Sequence, residues 1–153
     1  MQARFAEQRD TPEVIRLAAL MYASMGLDGE DPRWLSQAEA QFRSRLGTDV
    51  QGVVVDDPDS ERLLASGAAV IALRLPTPNN PGGRVGYIQW VATDEDARRM
   101  GLGASVMRLL IDWCAEQGAA IVELHATPDG EGLYRSLGFG QDGGLALRRR
   151  TGE

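Results

Sequence analysis

The sequence contains no lysine. All sixteen of its basic residues are arginine, so no side-chain amine is available for acylation. Cysteine is nearly absent too: Cys114 alone excludes an internal disulfide framework and any cysteine-rich zinc site. No run approaches the ~20 apolar residues needed to cross a bilayer, and Met1-Gln2-Ala3-Arg4-Phe5 lacks the apolar region of a signal peptide. A cytoplasmic protein with no metal and no membrane contact is the expectation. Positive charge is also short, with 16 basic residues against 22 acidic ones and a net charge of −6. Nucleic-acid binding needs a cationic face to neutralise phosphate, so that class is disfavoured. What remains is 153 residues, 43% hydrophobic and 25% charged, without repeats or linkers. That is the profile of one globular domain spanning residues 1–153.

Residues 2–8 can form a first strand. Asp10-Thr11-Pro12-Glu13 then supplies an N-cap candidate with proline at the helix start, and Val14, Leu17, Ala18, Met21 and Met25 recur at helical spacing. Asp31-Pro32 repeats the start signal before the stripe Trp34, Leu35, Ala38, Phe42 and Leu46. Residues 50–56 and 63–75 flank the turn-rich Asp57-Pro58-Asp59-Ser60 and read as a hairpin. After a proline-rich loop, residues 85–93 form a strand apolar on both faces and therefore central. Leu102, Val106, Leu109, Leu110 and Trp113 mark an amphipathic helix over 101–117, followed by a strand at 120–126 and a short helix around 133–137. Residues 145–150 can close the sheet, with one more short strand expected at 139–141.

The predicted order is β-α-α-β-β-β-α-β-α-β, an α/β (α+β) domain with a mixed, mostly antiparallel sheet. The right-handed crossover rule makes the strands at 85–93 and 120–126 a parallel pair bridged by the glycine-started helix.

Chemistry concentrates at the start of that helix, in Arg98-Arg99-Met100-Gly101-Leu102-Gly103-Ala104. A helix N-terminus offers unpaired backbone N–H groups and a positive dipole end, which together hold a pyrophosphate if no side chain blocks the approach. Gly101 and Gly103 leave the approach open, Ala104 stays small, and Arg98 and Arg99 can add charge-assisted contacts. A bare Gly-x-Gly is equally compatible with an ordinary helix start and solvated arginines. A dinucleotide fingerprint would need a small residue at Val106 and an acid ending the next strand, where His125-Ala126 stands instead. A Walker A loop lacks its Gly-Lys pair.

Arg98, Gly101 and Gly103 match in full the acyl-CoA motif of the GNAT superfamily of N-acetyltransferases, which the chain resembles. Residues 90–97 resemble the family's fourth strand and its acidic lead-in, with Glu95 in place of a common proline. Leu133-Tyr134-Arg135-Ser136-Leu137-Gly138-Phe139 resembles its second signature. The resemblance implies acetyl-CoA as co-substrate and a single GNAT-like domain whose fourth and fifth strands are splayed by a bulge. Val91, Ala92 and Thr93 would lend backbone groups to the pantetheine arm and acetyl carbonyl, residues 98–104 would hold the pyrophosphate, and Tyr134 would face the sulfur. Many relatives carry asparagine where this chain has Ala126-Thr127-Pro128-Asp129-Gly130, so Thr127 is the candidate replacement.

A tyrosine, with an unperturbed pKa near ~10, is protonated at neutral pH and can donate to a departing thiolate, so Tyr134 is the candidate general acid. The expected reaction is direct transfer to a primary amine, on a small molecule or a peptide, in a ternary complex. A non-catalytic acyl-CoA sensor on the same fold is the alternative, and a different nucleotide-binding enzyme, for NAD or ATP, is the more distant one. No base is identified: Glu123 and His125 share a strand face, but a strand-end histidine is more often structural. Tyr87 and Gln89 cannot serve as carboxylates. Asp28-Gly29-Glu30-Asp31 could attract a cationic amine or simply cap a helix. Cys114 and the run Arg148-Arg149-Arg150 read as a buried thiol and a solvated edge. Exposed edges in this fold often pair, which leaves room for a homodimer.

Overall fold

The computed structural model describes residues 1–152. Along the chain run β1 (Ala3–Phe5), α1 (Thr11–Ser24), α2 (Pro32–Arg45), β2 (Val50–Asp56), β3 (Leu63–Leu73), β4 (Arg84–Thr93), α3 (Leu102–Glu116), β5 (Ile121–Glu123) and α4 (Glu131–Ser136). Short 3-10 turns lie at Gln8–Asp10 and Glu95–Ala97. The strands form one five-stranded sheet in chain order, antiparallel from β1 to β4 and parallel between β4 and β5. The predicted crossover is thus α3, and the antiparallel remainder comes from hairpins and the α1–α2 excursion.

Local chemistry sets the helix starts. Asp31 caps α2 by accepting from the Arg33 N–H at 2.9 Å, with Pro32 opening the first turn. Asp10 precedes α1 but makes no side-chain cap bond. Its buried carboxylate instead accepts from Arg4 Nη1 at 2.9 Å, Arg4 Nη2 at 3.0 Å and the Glu7 N–H at 2.7 Å. The same guanidinium donates from Nε to Asp56 at 2.8 Å, so one arginine ties β1 to the start of α1 and the end of β2. Burial alone would push the Asp10 pKa up, but the bonds from Arg4 and the Glu7 N–H outweigh it and hold the acid below its ordinary value.

The sheet is covered on both faces. On one, α3 buries Leu102, Val106, Met107, Leu110, Trp113 and Cys114 against Val53, Val55, Ala69 and Ile88. On the other, Val14 and Leu17 of α1 and Phe42 of α2 pack on Val50, Val54 and Ala68. Alternate residues of β2 therefore enter different cores, which is why Val53, Val54 and Val55 are all fully buried. Complete burial of one such side chain contributes roughly 1.5–3 kcal/mol. Cys114 belongs to the first core: a Cβ on Gly86 would lie 2.5 Å from its sulfur, and burial pushes the thiol pKa up to about 11. It is a packing residue, as its sequence context suggested.

The last strand is where the sequence reading fails. Residues 145–150 form no ladder, nor do residues 139–141, and Leu145 and Leu147 are 79% and 86% exposed. The alternation in Leu145-Ala146-Leu147-Arg148 suits a strand with one covered face, but no such face receives it. The order is therefore β-α-α-β-β-β-α-β-α without a closing strand. β1 and β5 are also shorter than predicted, three residues each. For β5 the cause is local, because its ladder with β4 ends early.

Candidate functional site

β4 departs from its neighbours on both edges. Along β3, Ser66 pairs with Ala92 and Ala68 with Gln89, so Gly67 alone opposes Trp90 and Val91. This bulge requires an unusual backbone, and Trp90 supplies it with φ +62°. Gly67 is needed here because a Cβ would meet Val106 at 2.9 Å and Val91 at 3.2 Å. Val91 consequently turns toward α3, while Trp90 turns toward α2 and lies 5.9 Å from Phe42 between ring centroids. Along β5 the ladder runs only from Val85↔Ile121 to Tyr87↔Glu123. Past that point β4 and β5 carry no pairing among the described residues, leaving Val91, Ala92 and Thr93 without a β5 partner.

The segment after β4 is anchored. The Asp94 N–H donates to Leu64 O at 2.7 Å, and its carboxylate takes Arg16 of α1 at 3.3 Å and the Asp96 N–H at 3.1 Å. From that fixed point the chain passes through Arg99 at φ +68° and Gly101 at φ +75° into α3. Trp90 and Arg99 are the non-glycine residues with positive φ among the described residues, and both lie in the proposed cofactor region. Such conformations cost on the order of 1–3 kcal/mol each and tend to collect at functional sites.

The turn exposes a row of donors. Among the described residues, the backbone N–H groups of Gly101, Leu102, Gly103 and Ala104 donate no hydrogen bond within the protein, and the first helical bond of α3 is that of the Ser105 N–H to Gly101 O. The first four N–H groups of any helix are unpaired, and here the chain reaches them through left-handed Arg99 and Gly101. Arg98 and Arg99 are exposed, and neither forms an ion pair among the described residues. Leu102 itself is buried and anchors the turn to the core.

α4 abuts this turn, since a Cβ on Gly103 would sit 3.2 Å from Leu133 Cδ2. Tyr134 follows, half-buried at the edge of the α3 core, with its ring edge-on to Phe139 at 6.3 Å and against Gly130. A Cβ on Gly130 would lie 2.9 Å from that ring, so this glycine makes room for it. The Tyr134 hydroxyl forms no hydrogen bond among the described residues, and burial raises its pKa, keeping it protonated at neutral pH. Thr127 contributes its carbonyl to the turn before α4, accepting from the Gly130 and Glu131 N–H groups at 3.0 Å.

The other sequence candidates separate. Glu123 pairs with Arg74 at 2.9 Å, whereas His125 shares a hydrogen bond with Tyr87, so they do not act as a couple. Asp31 is occupied as the α2 cap and by Arg33. Among the described residues no three His, Cys, Asp or Glu side chains gather as a metal cage. No helix there is long and apolar enough to cross a membrane.

On the face of β4 opposite α3, a cavity of about 260 Å³ lies beneath α1 and α2. Tyr22, Trp34, Phe42, Gln89 and Trp90 are among its walls. The sequence reading assigned Trp34 and Phe42 to core packing. One signal was available: Gln37, Gln41 and Arg45 share the helical face of Trp34, Ala38 and Phe42, and amides within an apolar stripe indicate a wet lining.

The domain thus combines a mixed sheet, a β4 bulged against β3, a parallel β4–β5 ladder that stops after three pairs, and a helix start with unpaired N–H groups after β4. The model of the Acetyltransferase (GNAT) family matches residues 19–139, and the chain belongs to that family. Glucosamine 6-phosphate N-acetyltransferase 1 of Oryza sativa subsp. japonica is 34% identical over 107 residues, covering 66% of this chain and 63% of that protein. The chain spans less than two thirds of the length of the curated relatives it matches, 63% and 58%. A predicted acetyltransferase of Clostridium acetobutylicum, solved with acetyl-CoA, superposes with a TM-score of 0.86 at 20% identity, over 97% of this chain and 95% of that one. A GCN5-related N-acetyltransferase from Ralstonia eutropha gives 0.77 at 25% identity, with 97% of each chain covered.

Proposed function

We propose that the protein transfers an acetyl group from acetyl-CoA to a primary amine by direct attack in a ternary complex. The observation that carries this reading is the start of α3, where Gly101 to Ala104 leave their N–H groups unpaired among the described residues, beside the half of β4 that has no β5 partner. These donors suit a pyrophosphate, with Arg98 and Arg99 adding charge from the exposed side. The gap beyond Tyr87↔Glu123 suits an extended pantetheine arm, which would pair with Val91, Ala92 and Thr93 as a strand would.

Bound acetyl-CoA supplies an activated thioester carbonyl. A backbone N–H of the bulged strand polarises that carbonyl as negative charge develops on its oxygen. The amine, having lost its ammonium proton to solvent, forms the new carbon–nitrogen bond as the carbon–sulfur bond breaks, and its nitrogen releases a second proton to water as the amide forms. Tyr134 gives its phenolic proton to the departing thiolate and recovers one from water. A half-buried phenol with a raised pKa and an uncommitted hydroxyl is suited to that donation. No covalent enzyme intermediate is needed, consistent with Cys114 lying fully buried and protonated.

Thiol release from acetyl-CoA, followed with a panel of primary amines, tests the reading. Amine-dependent release is expected. Saturable acetyl-CoA binding with no release across the panel would favour a sensor on the same fold.

A further inference from the structure

The cavity beneath α1 and α2 shares β4 with the cofactor cleft but lies on the opposite face of the sheet, with Trp90 next in sequence to Val91. Four of its twelve lining residues are aromatic, Tyr22, Trp34, Phe42 and Trp90. Tyr22 meets Trp34 edge-on at 5.5 Å and 81°, and Trp34 meets Trp90 edge-on at 6.4 Å and 76°. Phe42 closes the floor behind Trp90, and Ala38 and Ala68 leave the space unfilled.

The charge balance is equally specific. No carboxylate lines the cavity, and Arg45 is its single cation. That guanidinium is already held by Asp49, with Nη2 at 2.6 Å and Nε at 3.1 and 3.2 Å, and donates to Gln41 Oε1 at 3.1 Å. A phosphate dianion placed here would find no uncommitted cation, and burying an unpaired charge is strongly unfavourable. A flat apolar group would instead gain buried area and edge-to-face contacts with rings already fixed in place. At about 260 Å³ the space falls just below the ~300–1,000 Å³ of drug-sized ligand sites, which limits the occupant to a small molecule or a single side chain.

We infer that this cavity holds the body of the acceptor and selects a primary amine carried on a small ring-bearing apolar group, in preference to an amino sugar phosphate. The inference rests on the acetyl-transfer reading, which it deepens. Trp34 and Trp90 grip the ring, Gln37 and Gln89 offer neutral polar contacts, and the amine points along β4 toward the bulge.

The test compares 2-phenylethylamine with glucosamine 6-phosphate as acceptors, by thiol release at saturating acetyl-CoA. The expected result is at least a tenfold higher kcat/KM for 2-phenylethylamine. Trp34→Ala should lower it roughly tenfold, mainly through KM, with the acetyl-CoA Kd unchanged within twofold, and Trp34→Phe should restore most of the loss. Equal or better use of glucosamine 6-phosphate overturns the inference, as does an equal effect of Trp34→Ala on both amines. A second measurement needs no turnover: tryptophan fluorescence titrated with 2-phenylethylamine in the presence of coenzyme A. Saturable quenching that Trp34→Ala abolishes supports the cavity assignment even if no thiol is released, a result that would count against acetyl transfer alone. Absence of both saturation and turnover overturns the assignment while acetyl-CoA binding stands.

Discussion

Replacing Gly103 by valine separates cofactor binding from stability more cleanly than any other change in the turn. Gly103 is the second residue of α3, and its φ is not in the left-handed region, so a side chain there is conformationally permitted. Its Cβ would stand 3.2 Å from Leu133 Cδ2, a contact relieved by a few tenths of an ångström of movement in that flexible side chain. Leaving glycine also recovers part of its ~1 kcal/mol helix penalty, so the net change in stability should stay within about 1 kcal/mol. Binding should respond differently. The two γ-methyls would stand in front of the exposed N–H row and hold a pyrophosphate away from it. Loss of two charge-assisted hydrogen bonds at ~1.5 kcal/mol each is about 3 kcal/mol, or roughly a hundredfold in Kd. Calorimetric titration with acetyl-CoA, beside a thermal melt, reads both quantities. An unchanged Kd in a folded variant would show that the pyrophosphate does not sit on this turn.

Other consequences are independent of that one. Tyr134→Phe should reduce kcat a hundredfold or more, within the usual ~10²–10⁴ range of acid catalysis, while acetyl-CoA affinity changes less than twofold; an unaltered rate across pH would remove the acid assignment. Asp10→Asn should cost about 2 kcal/mol in urea unfolding, because Arg4 keeps Asp56 but loses its more buried carboxylate partner. Since the folded-state pKa of Asp10 lies below the unfolded one, its contribution is present above the unfolded value near ~4 and lost as pH falls through the folded value. The wild-type urea midpoint should therefore fall below about pH 4, and Asp10→Asn should flatten that slope; parallel acid limbs would refute the linkage. Cys114 should resist alkylation in the native state and react in urea, since its thiol is fully buried with a pKa of about 11; rapid native labelling, followed by mass spectrometry, would contradict its place in the core.

The turn into α3 was legible because its requirements are local. Gly101 must adopt a positive φ, Gly103 must leave space, and α3 must be amphipathic, so each leaves a mark within a few residues. The bulge was foreseen only through family resemblance, because Trp90 at φ +62° has no turn-forming residue type to announce it. The cavity beneath α1 and α2 left only one faint mark, the polar Gln37, Gln41 and Arg45 within the stripe of α2. Its walls come from α1, α2, β2, β3 and β4, and Trp34 and Phe42 fit a core stripe equally well until Trp90 is placed beside them. Residues 145–150 show the converse. Their alternation is a strand pattern, yet pairing depends on an edge elsewhere in the fold that the pattern does not encode. Asp10 combines both cases: its position before Pro12 marked the helix start correctly, while its carboxylate went to Arg4, a partner set by the pairing of β1 with β2.

The central claim is that residues 98–104 and the opening of β4 form an acyl-CoA site. Calorimetric titration of the wild-type protein with acetyl-CoA, NAD and ATP in parallel tests it most directly. Saturable one-to-one binding of acetyl-CoA, with NAD and ATP at least a hundredfold weaker, is the predicted result. Comparable binding of NAD or ATP, or no heat with acetyl-CoA, would contradict it.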